Sequence, residues 1–243
     1  MPTRAALAGR GAAVMAVVGA LASADLHAGP QAYEPMSAAV RTALSQRVSS
    51  ASADGVTLFA SVEEKVDWLD AMSARLPRRA LPRLQDRVEF LLALRYEAMR
   101  AGLDPQLVLA VIDVESRFRM DAVSSAGARG LMQVMPFWAR VIGDGDARPL
   151  FDLRVNLRYG CTILRHYLDT ERGDLFRALG RYNGSLGRAT YPQAVMRAWR
   201  RWEFEPGPAM RRAEEEVAPA GGEQRLAGAK GSSQRAPAGY GGA

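Results

Sequence analysis

One run of ten residues constrains this chain more than any other feature. Residues 107–116 read LVLAVIDVES, which is apolar enough for a protein core but includes Asp113 and Glu115. At about 100° per residue, a helix places Glu115 on the same face as the apolar residues three, four, seven and eight positions before it. Asp113 then lies about 160° around the helix, toward solvent. The run predicts a core helix that carries one carboxylate on its apolar side.

The predicted position of Glu115 has a chemical consequence. An ionised carboxylate is costly in apolar surroundings, so we expect the pKa of Glu115 to be raised. A carboxyl group that stays protonated near neutral pH is the form that general-acid catalysis needs. Glu115 is therefore the leading candidate for a catalytic acid.

Residues 1–24 have the pattern of a secretory signal peptide. Arg4 and Arg10 supply positive charge, residues 11–22 are apolar but too short to cross a membrane, and Ala22-Ser23-Ala24 fits the small-residue pattern at a cleavage site. Residues 26–28 are a second cleavage candidate, and an uncleaved N-terminal anchor is the alternative. No cysteine lies near this cleavage site, so we do not expect a lipid anchor. We expect export to the periplasm without stable membrane insertion.

The excess of basic over acidic residues in the chain has two interpretations. The net charge is +6, and the only lysines are Lys65 and Lys230, so almost all of the basic residues are arginines. Their scattered positions fit a solvated surface, but arginines also suit an anionic polymer because a guanidinium holds a carboxylate with two parallel hydrogen bonds. Nucleic acid is not the expected partner, since we find no zinc-ligand spacing and no RNA-binding aromatic motif.

Cys161 is the only cysteine, so no intrachain disulfide can form. It shares one helical stripe with leucines at positions 153, 157, 164 and 168, which predicts a buried, unreactive thiol. His166 falls on another side of that helix, toward solvent. We therefore expect no Cys–His pair, and we predict neither a metal site nor a cofactor.

Local signals predict helices throughout the ordered part of the chain. Ser61 and Glu64 have capping-box spacing, and Asp104 precedes Pro105 as an N-cap does at a helix start. The predicted helices run from Ser61 to about Leu76, over about 83–101, from Asp104 to near Phe118, over about 154–170, after Asp174, and from Pro192 to Trp202.

Four motifs follow one another along these helices. They are Glu115-Ser116, residues 127–133 (GARGLMQ), Asn156 to Gly160, and Tyr182-Asn183-Gly184. In this order and spacing they resemble the catalytic domain of soluble lytic murein transglycosylases, a branch of the lysozyme-like superfamily. The resemblance covers about residues 86–202, roughly half of the chain.

The resemblance implies a mainly α, goose-type lysozyme-like fold and a peptidoglycan substrate. The implied reaction breaks the β-1,4 bond between N-acetylmuramic acid and N-acetylglucosamine without water and leaves a 1,6-anhydromuramyl end. Glu115 would act first as acid and then as base. A second carboxylate is not required, because the nucleophile is a hydroxyl of the same sugar. Asp121 and Asp152 remain candidates for a second carboxylate contributed from elsewhere in the chain.

The resemblance also implies substrate-binding roles for five residues. Gln133 is expected to reach sugar groups, and Met132 to line the cleft, although core packing explains a methionine equally well. Tyr182 is expected to direct its hydroxyl at Glu115 or the substrate, with plain packing as the alternative. Asn183 would hold a turn or a sugar group. Ser116 would orient the acid or make an ordinary hydrogen bond at the helix end.

Residues 127 and 130 are glycines that would permit close approach of backbone and glycan. Since the helix should end near Phe118, Arg119 is a candidate contact for a carboxylate of the peptide stem. Residues 181–185 read RYNGS where many relatives read AYNAG, so the groove beside Tyr182 is expected to differ from theirs.

These signals divide the chain into five parts. We predict a signal peptide (1–24), a weakly ordered linker (25–55), an N-terminal helical extension (56–85), a lysozyme-like catalytic domain (86–205) and a disordered tail (206–243). Two alternatives remain for the function: a hydrolytic muramidase on the same fold, and a non-catalytic peptidoglycan-binding or scaffold protein. An enzyme that serves a secretion or cell-wall machine is a specialised version of the first hypothesis.

Overall fold

The structure, a computed structural model, describes residue 31 and residues 33–50, 56–205, 207 and 211. The predicted signal peptide and nearly all of the predicted tail lie outside these residues. Within them, the helices are α1 (Ala38–Ser49), α2 (Val62–Arg75), α3 (Leu84–Arg100), α4 (Pro105–Glu115), α5 (Phe137–Ile142), a 3₁₀ turn (Arg148–Phe151), α6 (Leu153–Thr170), α7 (Leu175–Asn183) and α8 (Thr190–Trp202). The described part of the chain contains no strand, only two isolated bridges that both include Arg129.

Side-chain caps set most of the helix starts that the sequence predicts. Asp104 accepts hydrogen bonds from the backbone N–H groups of residues 106 and 107, with Pro105 in the first position of α4. The N-caps Ser61, Asp152 and Asp174 act in the same way for α2, α6 and α7. The last helix begins at Thr190, two residues before the predicted start at Pro192.

Helix α4 lies at the centre of the core. Its residues 107–112 are all buried, and α8 and α3 pack against it. Helix α2 shares the same core through Trp68 and Met72, whose side chains are fully buried. Cys161 is buried in α6 as predicted, and burial raises the pKa of its thiol, which keeps the sulfur in its unreactive form. His166 is half-buried rather than turned to solvent, because its ring packs edge-on against Trp138.

The predicted weakly ordered linker is wrong in part, because residues 38–49 form helix α1. Ser37 caps this helix, Leu44 is buried in the core, and the helix packs on α5 and α6. The segment before α1 is also anchored: the carboxylate of Glu34 accepts two hydrogen bonds of 2.7 Å from Arg181. The sequence of α1 has little amphipathic periodicity, so tertiary packing stabilises a helix that local pattern does not reveal.

A buried carboxylate joins α3 to α6. Glu97 in α3 is 1% exposed, and its Oε1 accepts hydrogen bonds from Nε and Nη2 of Arg158 in α6 at 3.2 and 2.9 Å. Arg100 lies 3.7 Å from the other carboxylate oxygen. Removal of one partner from such a pair leaves a partly buried charge without compensation.

We predict that Glu97→Ala lowers the free energy of unfolding by about 3 kcal/mol, because Arg158 and Arg100 lose their carboxylate. Urea unfolding followed by circular dichroism measures the change. Glu89→Ala removes an exposed carboxylate of the same helix and should change stability by less than about 0.5 kcal/mol. Equal losses in the two variants would contradict a structural role for the Glu97 pair.

Candidate active site

Glu115 is the last residue of α4 and faces a cleft of about 650 Å³. Its side chain is half-buried, and burial raises the pKa of its carboxyl group to about 8, against the lowering effect of a hydrogen bond from Tyr191. The raised pKa expected from the sequence is therefore confirmed. At neutral pH most Glu115 carboxyls hold a proton, which is the form that can donate it.

Tyr191 makes the contact with Glu115 that was expected of Tyr182. The Tyr191 hydroxyl donates to Oε1 of Glu115 at 2.6 Å, and the ring, in the first turn of α8, is 4% exposed. The Tyr182 hydroxyl instead donates to the backbone carbonyl of Met132 at 2.7 Å, and Tyr182 is 1% exposed. The prediction that Tyr182 points at Glu115 or the substrate is therefore wrong, because α8 and not α7 covers the end of α4.

A signal for Tyr191 was present in the sequence. With the start of α8 at Thr190, Tyr191 shares one buried face with Val195, Ala198 and Trp202, four, seven and eleven residues later. A tyrosine at the head of an apolar stripe requires a partner for its hydroxyl. The predicted start at Pro192 left Tyr191 outside the helix and concealed this pattern.

The loop of residues 122–134 brings Gln133 to the cleft. Its backbone folds on itself through hydrogen bonds between Arg129 and Val134 and from the N–H of Gly130 to the carbonyl of Ala122. Gln133 has a φ of 49°, and its side-chain nitrogen donates to the carbonyls of Gly130 and Ala122 at 2.8 and 3.2 Å. Both amide protons are therefore committed to the loop, which leaves the amide oxygen as the acceptor for a ligand.

Asn156 fastens this loop to α6. Its side chain donates to the carbonyls of Arg129 and Leu150 and accepts from the N–H of Met132 at 2.8 Å. Gly130 permits this approach, because a Cβ at that position would lie 2.4 Å from Nδ2 of Asn156. Gly130 therefore serves close packing between loop and helix rather than the approach of glycan that we expected.

Met132 does not line the cleft, because its side chain is fully buried. A Cβ on Gly160 would lie 2.3 Å from the Met132 sulfur, so the glycine of α6 makes room for it. The packing alternative therefore holds at this position. Ser116 also follows its structural alternative: its hydroxyl donates to the carbonyl of Ile112 at 3.3 Å, and the residue is 1% exposed.

Asn183 is 6% exposed and ends α7, but its side chain does not hold the turn. Backbone hydrogen bonds close that turn, from Gly184 to Arg181 and from Ser185 to Gly180, with Gly184 at a φ of 76°. The Nδ2 atom of Asn183 is buried without a partner among the described residues. Of the five predicted substrate contacts, Gln133 and Ser116 line the cleft, and they are 4% and 1% exposed.

The other candidate carboxylates are paired, cap a helix or lie outside the cleft lining. Asp113 also lines the cleft, but it accepts a hydrogen bond from Arg201 at 2.9 Å. Asp152 caps α6, and Asp121 is exposed outside the cleft lining. Within the described residues, Glu115 is therefore the cleft carboxyl that has no cationic partner. In the same part of the chain, no group of three or more His, Cys, Asp or Glu side chains is arranged to hold a metal ion.

Residues 93–199 match the family described as "Transglycosylase SLT domain". These residues form an SLT domain. The resemblance inferred from the four motifs is confirmed, and so is the mainly α, lysozyme-like fold class. The matched region includes Glu115, the loop of Gln133, and the first turn of α8 with Tyr191.

Curated relatives carry related names. The chain is 37% identical over 103 residues to a "Transglycosylase" of Enterobacteria phage PRD1, which covers 40% of this chain and 37% of that protein. It is 31% identical over 128 residues to "Membrane-bound lytic murein transglycosylase C" of Haemophilus influenzae, covering 44% and 36%. A shorter match to the Actinobacillus pleuropneumoniae protein of that name is 48% identical over 48 residues, 20% of this chain and 13% of that protein. The chain thus spans little more than a third of the first two relatives.

The raised pKa of Glu115 predicts how stability of the SLT domain depends on pH. Native Glu115 is protonated up to about pH 8, whereas in the unfolded chain the carboxyl ionises near its ordinary pKa of 4.5. Unfolding therefore releases a proton between these values, and the wild type loses stability as pH rises through this window. Above about pH 8 the loss is complete.

We expect Glu115→Gln to be more stable than the wild type at high pH, because the amide has no charge to bury. The difference should widen by about 1–3 kcal/mol between pH 5 and pH 9, after discounting for partial solvent access. Urea unfolding at several pH values measures this. Parallel stability curves for the two proteins would show that Glu115 ionises normally.

Proposed function

We propose that this protein is a peptidoglycan lytic transglycosylase that cleaves the β-1,4 bond between N-acetylmuramic acid and N-acetylglucosamine. The observation that carries the proposal is Glu115, a half-buried carboxyl with a pKa near 8 in a cleft with no second unpaired carboxylate among its described residues. The SLT domain match and relatives named lytic murein transglycosylase support the same reaction class.

In the proposed first step, Glu115 transfers its proton to the oxygen that bridges the two sugars. The bond from that oxygen to C1 of the muramyl residue breaks, and its electron pair leaves with the oxygen. Positive charge develops at C1, and Glu115 is now a carboxylate. A protonated carboxyl with a pKa near 8 is suited to this donation at neutral pH.

In the proposed second step, the C6 hydroxyl of the same muramyl residue attacks C1. Glu115 takes the proton from that hydroxyl, which closes the 1,6-anhydro ring and restores the acid. No water is consumed, and protons balance over the cycle. One carboxylate is sufficient because the nucleophile is tethered to the reacting carbon and its effective concentration is high.

Tyr191 is proposed as the residue that positions Glu115 and moderates its acidity. Its hydroxyl donates to Oε1, so it fixes the carboxyl and stabilises the carboxylate formed between the two steps. Burial alone would raise the pKa of Glu115 further, and the hydrogen bond opposes this. The two effects together keep Glu115 usable as both acid and base.

Gln133 is proposed to contact sugar through its amide oxygen, which suits an N–H or hydroxyl donor of the glycan. Tyr182 and Asn156 are proposed as supports of the same loop, since they hold Met132, the residue before Gln133, by its carbonyl and its N–H. The role proposed for Met132 is likewise structural, because its side chain is fully buried.

We also propose that the protein is exported from the cytoplasm. A wall polymer is reached only outside the cytoplasm, and residues 1–24 have the pattern of a secretory signal. Among the described residues, no helix combines the length and apolarity needed to cross a membrane. We propose that residues 86–205 form the catalytic domain and that α2 packs on it as an extension.

We predict that Glu115→Gln reduces release of anhydromuramyl ends from purified peptidoglycan by at least about 100-fold, since the amide cannot donate a proton. Mass spectrometry of the soluble products measures this. Asp121→Asn, an exposed carboxylate outside the cleft, should retain wild-type rates. Reducing muramyl ends from the wild type would instead identify a hydrolytic muramidase. Wild-type activity in Glu115→Gln would exclude Glu115 as the acid.

A second variant tests whether Tyr191 positions Glu115 or contributes only to the stability of the fold. Tyr191→Phe removes the hydrogen bond that lowers the pKa of Glu115, so the high-pH limb of kcat/KM should move to higher pH by up to about one unit. The rate at pH 7 should fall about tenfold, because the carboxylate intermediate loses a donor. Tyr159→Phe, a buried tyrosine of α6 outside the cleft, should leave the profile in place. A lower rate with an unmoved limb would count against the positioning role.

A further inference from the structure

Arginines dominate one part of the cleft that contains Glu115. Arg117, Arg119, Arg197 and Arg201 all contribute to its lining, and all four are exposed. They come from two places, the turn after α4 and the exposed side of α8. Two segments distant in sequence therefore supply one cationic surface.

Most of this positive charge is not neutralised within the described residues. Arg201 pairs with Asp113 at 2.9 Å. Arg119 donates from Nε to the carbonyl of Ser116 at 3.2 Å, which leaves the rest of its guanidinium free of any ion pair. In the same described part of the chain, the guanidinium groups of Arg117 and Arg197 have neither a hydrogen bond nor an ion pair.

The backbone after α4 is held in an uncommon conformation that presents these residues. Arg117 and Phe118 have φ values of 52° and 64°, so two successive non-glycine residues are left-handed. Phe118 is anchored in the core, with its ring centroid 5.9 Å from Phe90 and 5.4 Å from Trp202. This anchor fixes a reversal of the chain direction, with an arginine on each side of the phenylalanine. Backbone strain of this kind is concentrated at functional sites.

A neutral glycan has no group that matches three unpaired guanidinium charges. In peptidoglycan the negative charge lies on the peptide stem, which is joined to the muramyl residue and carries free carboxylates. Guanidinium is the side chain best suited to a carboxylate, since it donates two parallel hydrogen bonds. Given the function proposed above, we propose that Arg117, Arg119 and Arg197 form a subsite for a stem-peptide carboxylate, so that the enzyme prefers peptide-bearing glycan.

The test uses two preparations of the same uncross-linked glycan strands, one with its peptide stems and one stripped of them by an amidase, which leaves only the short lactyl carboxylate on each muramyl residue. The release rate of anhydromuramyl ends at low substrate concentration gives kcat/KM for each. The wild type should favour peptide-bearing strands about fivefold at low salt, and the preference should shrink in about 0.5 M salt. This comparison needs no variant.

Arg117→Gln/Arg197→Gln should lower kcat/KM about fivefold on peptide-bearing strands and leave the rate on stripped strands unchanged. The matched control is Arg188→Gln/Arg200→Gln, which removes equal charge from exposed arginines outside the cleft lining and should retain the preference.

Equal wild-type rates on the two preparations would overturn the subsite while leaving the proposed function intact. An equal loss on both strands in the Arg117/Arg197 variant would also overturn it. No anhydromuramyl product from either preparation would remove the proposed function and the subsite with it.

Discussion

The desolvation of Glu115 is the constraint on which the rest of the site depends. Glu115 ends a helix whose residues 107–112 are all buried. Its carboxyl group is therefore less hydrated than a carboxyl group on the surface. The fold compensates with one hydrogen bond, from Tyr191, and with no cation among the described residues. A guanidinium in that position would return the pKa toward that of an ordinary carboxylate. Burial keeps a proton on Glu115 at neutral pH, and the hydroxyl donor opposes this effect without cancelling it.

The residues of the four sequence motifs are of two kinds: some face the cleft, and others hold those residues in position. Gln133 lies at the cleft, whereas its neighbour Met132 is buried and held on two sides, by Asn156 through the N–H and by Tyr182 through the carbonyl. Helices α6 and α7 therefore fix the loop that α4 faces. Residues of a family motif need not touch ligand, because the position of one reactive side chain requires several buried neighbours.

Local rules account for what could be predicted from the sequence. Asp104 caps α4 and the 3.6-residue period places Glu115 on its apolar side, since both effects act within a few residues. The contact between Tyr191 and Glu115 joins positions 76 residues apart and depends on how α8 packs on α4. Local sequence patterns do not specify the packing angle between two helices. Helix α1 has no clear signal in the sequence for a related reason, because its stability comes from contacts with α5 and α6 rather than from its own periodicity.

The cleft combines two requirements that oppose each other. A cationic surface attracts an anionic substrate, but a cation close to Glu115 would lower its pKa and remove the acid. The left-handed backbone at Arg117 and Phe118 resolves this conflict, because it ends the helix immediately after Glu115. A continued helix would place Arg119 one turn from the carboxyl, at a spacing where side chains interact. In the reversal Arg119 instead donates to the carbonyl of Ser116, and only burial and Tyr191 act on the pKa of Glu115. The reversal therefore keeps the arginines in the cleft lining without placing Arg119 one helical turn from the acid.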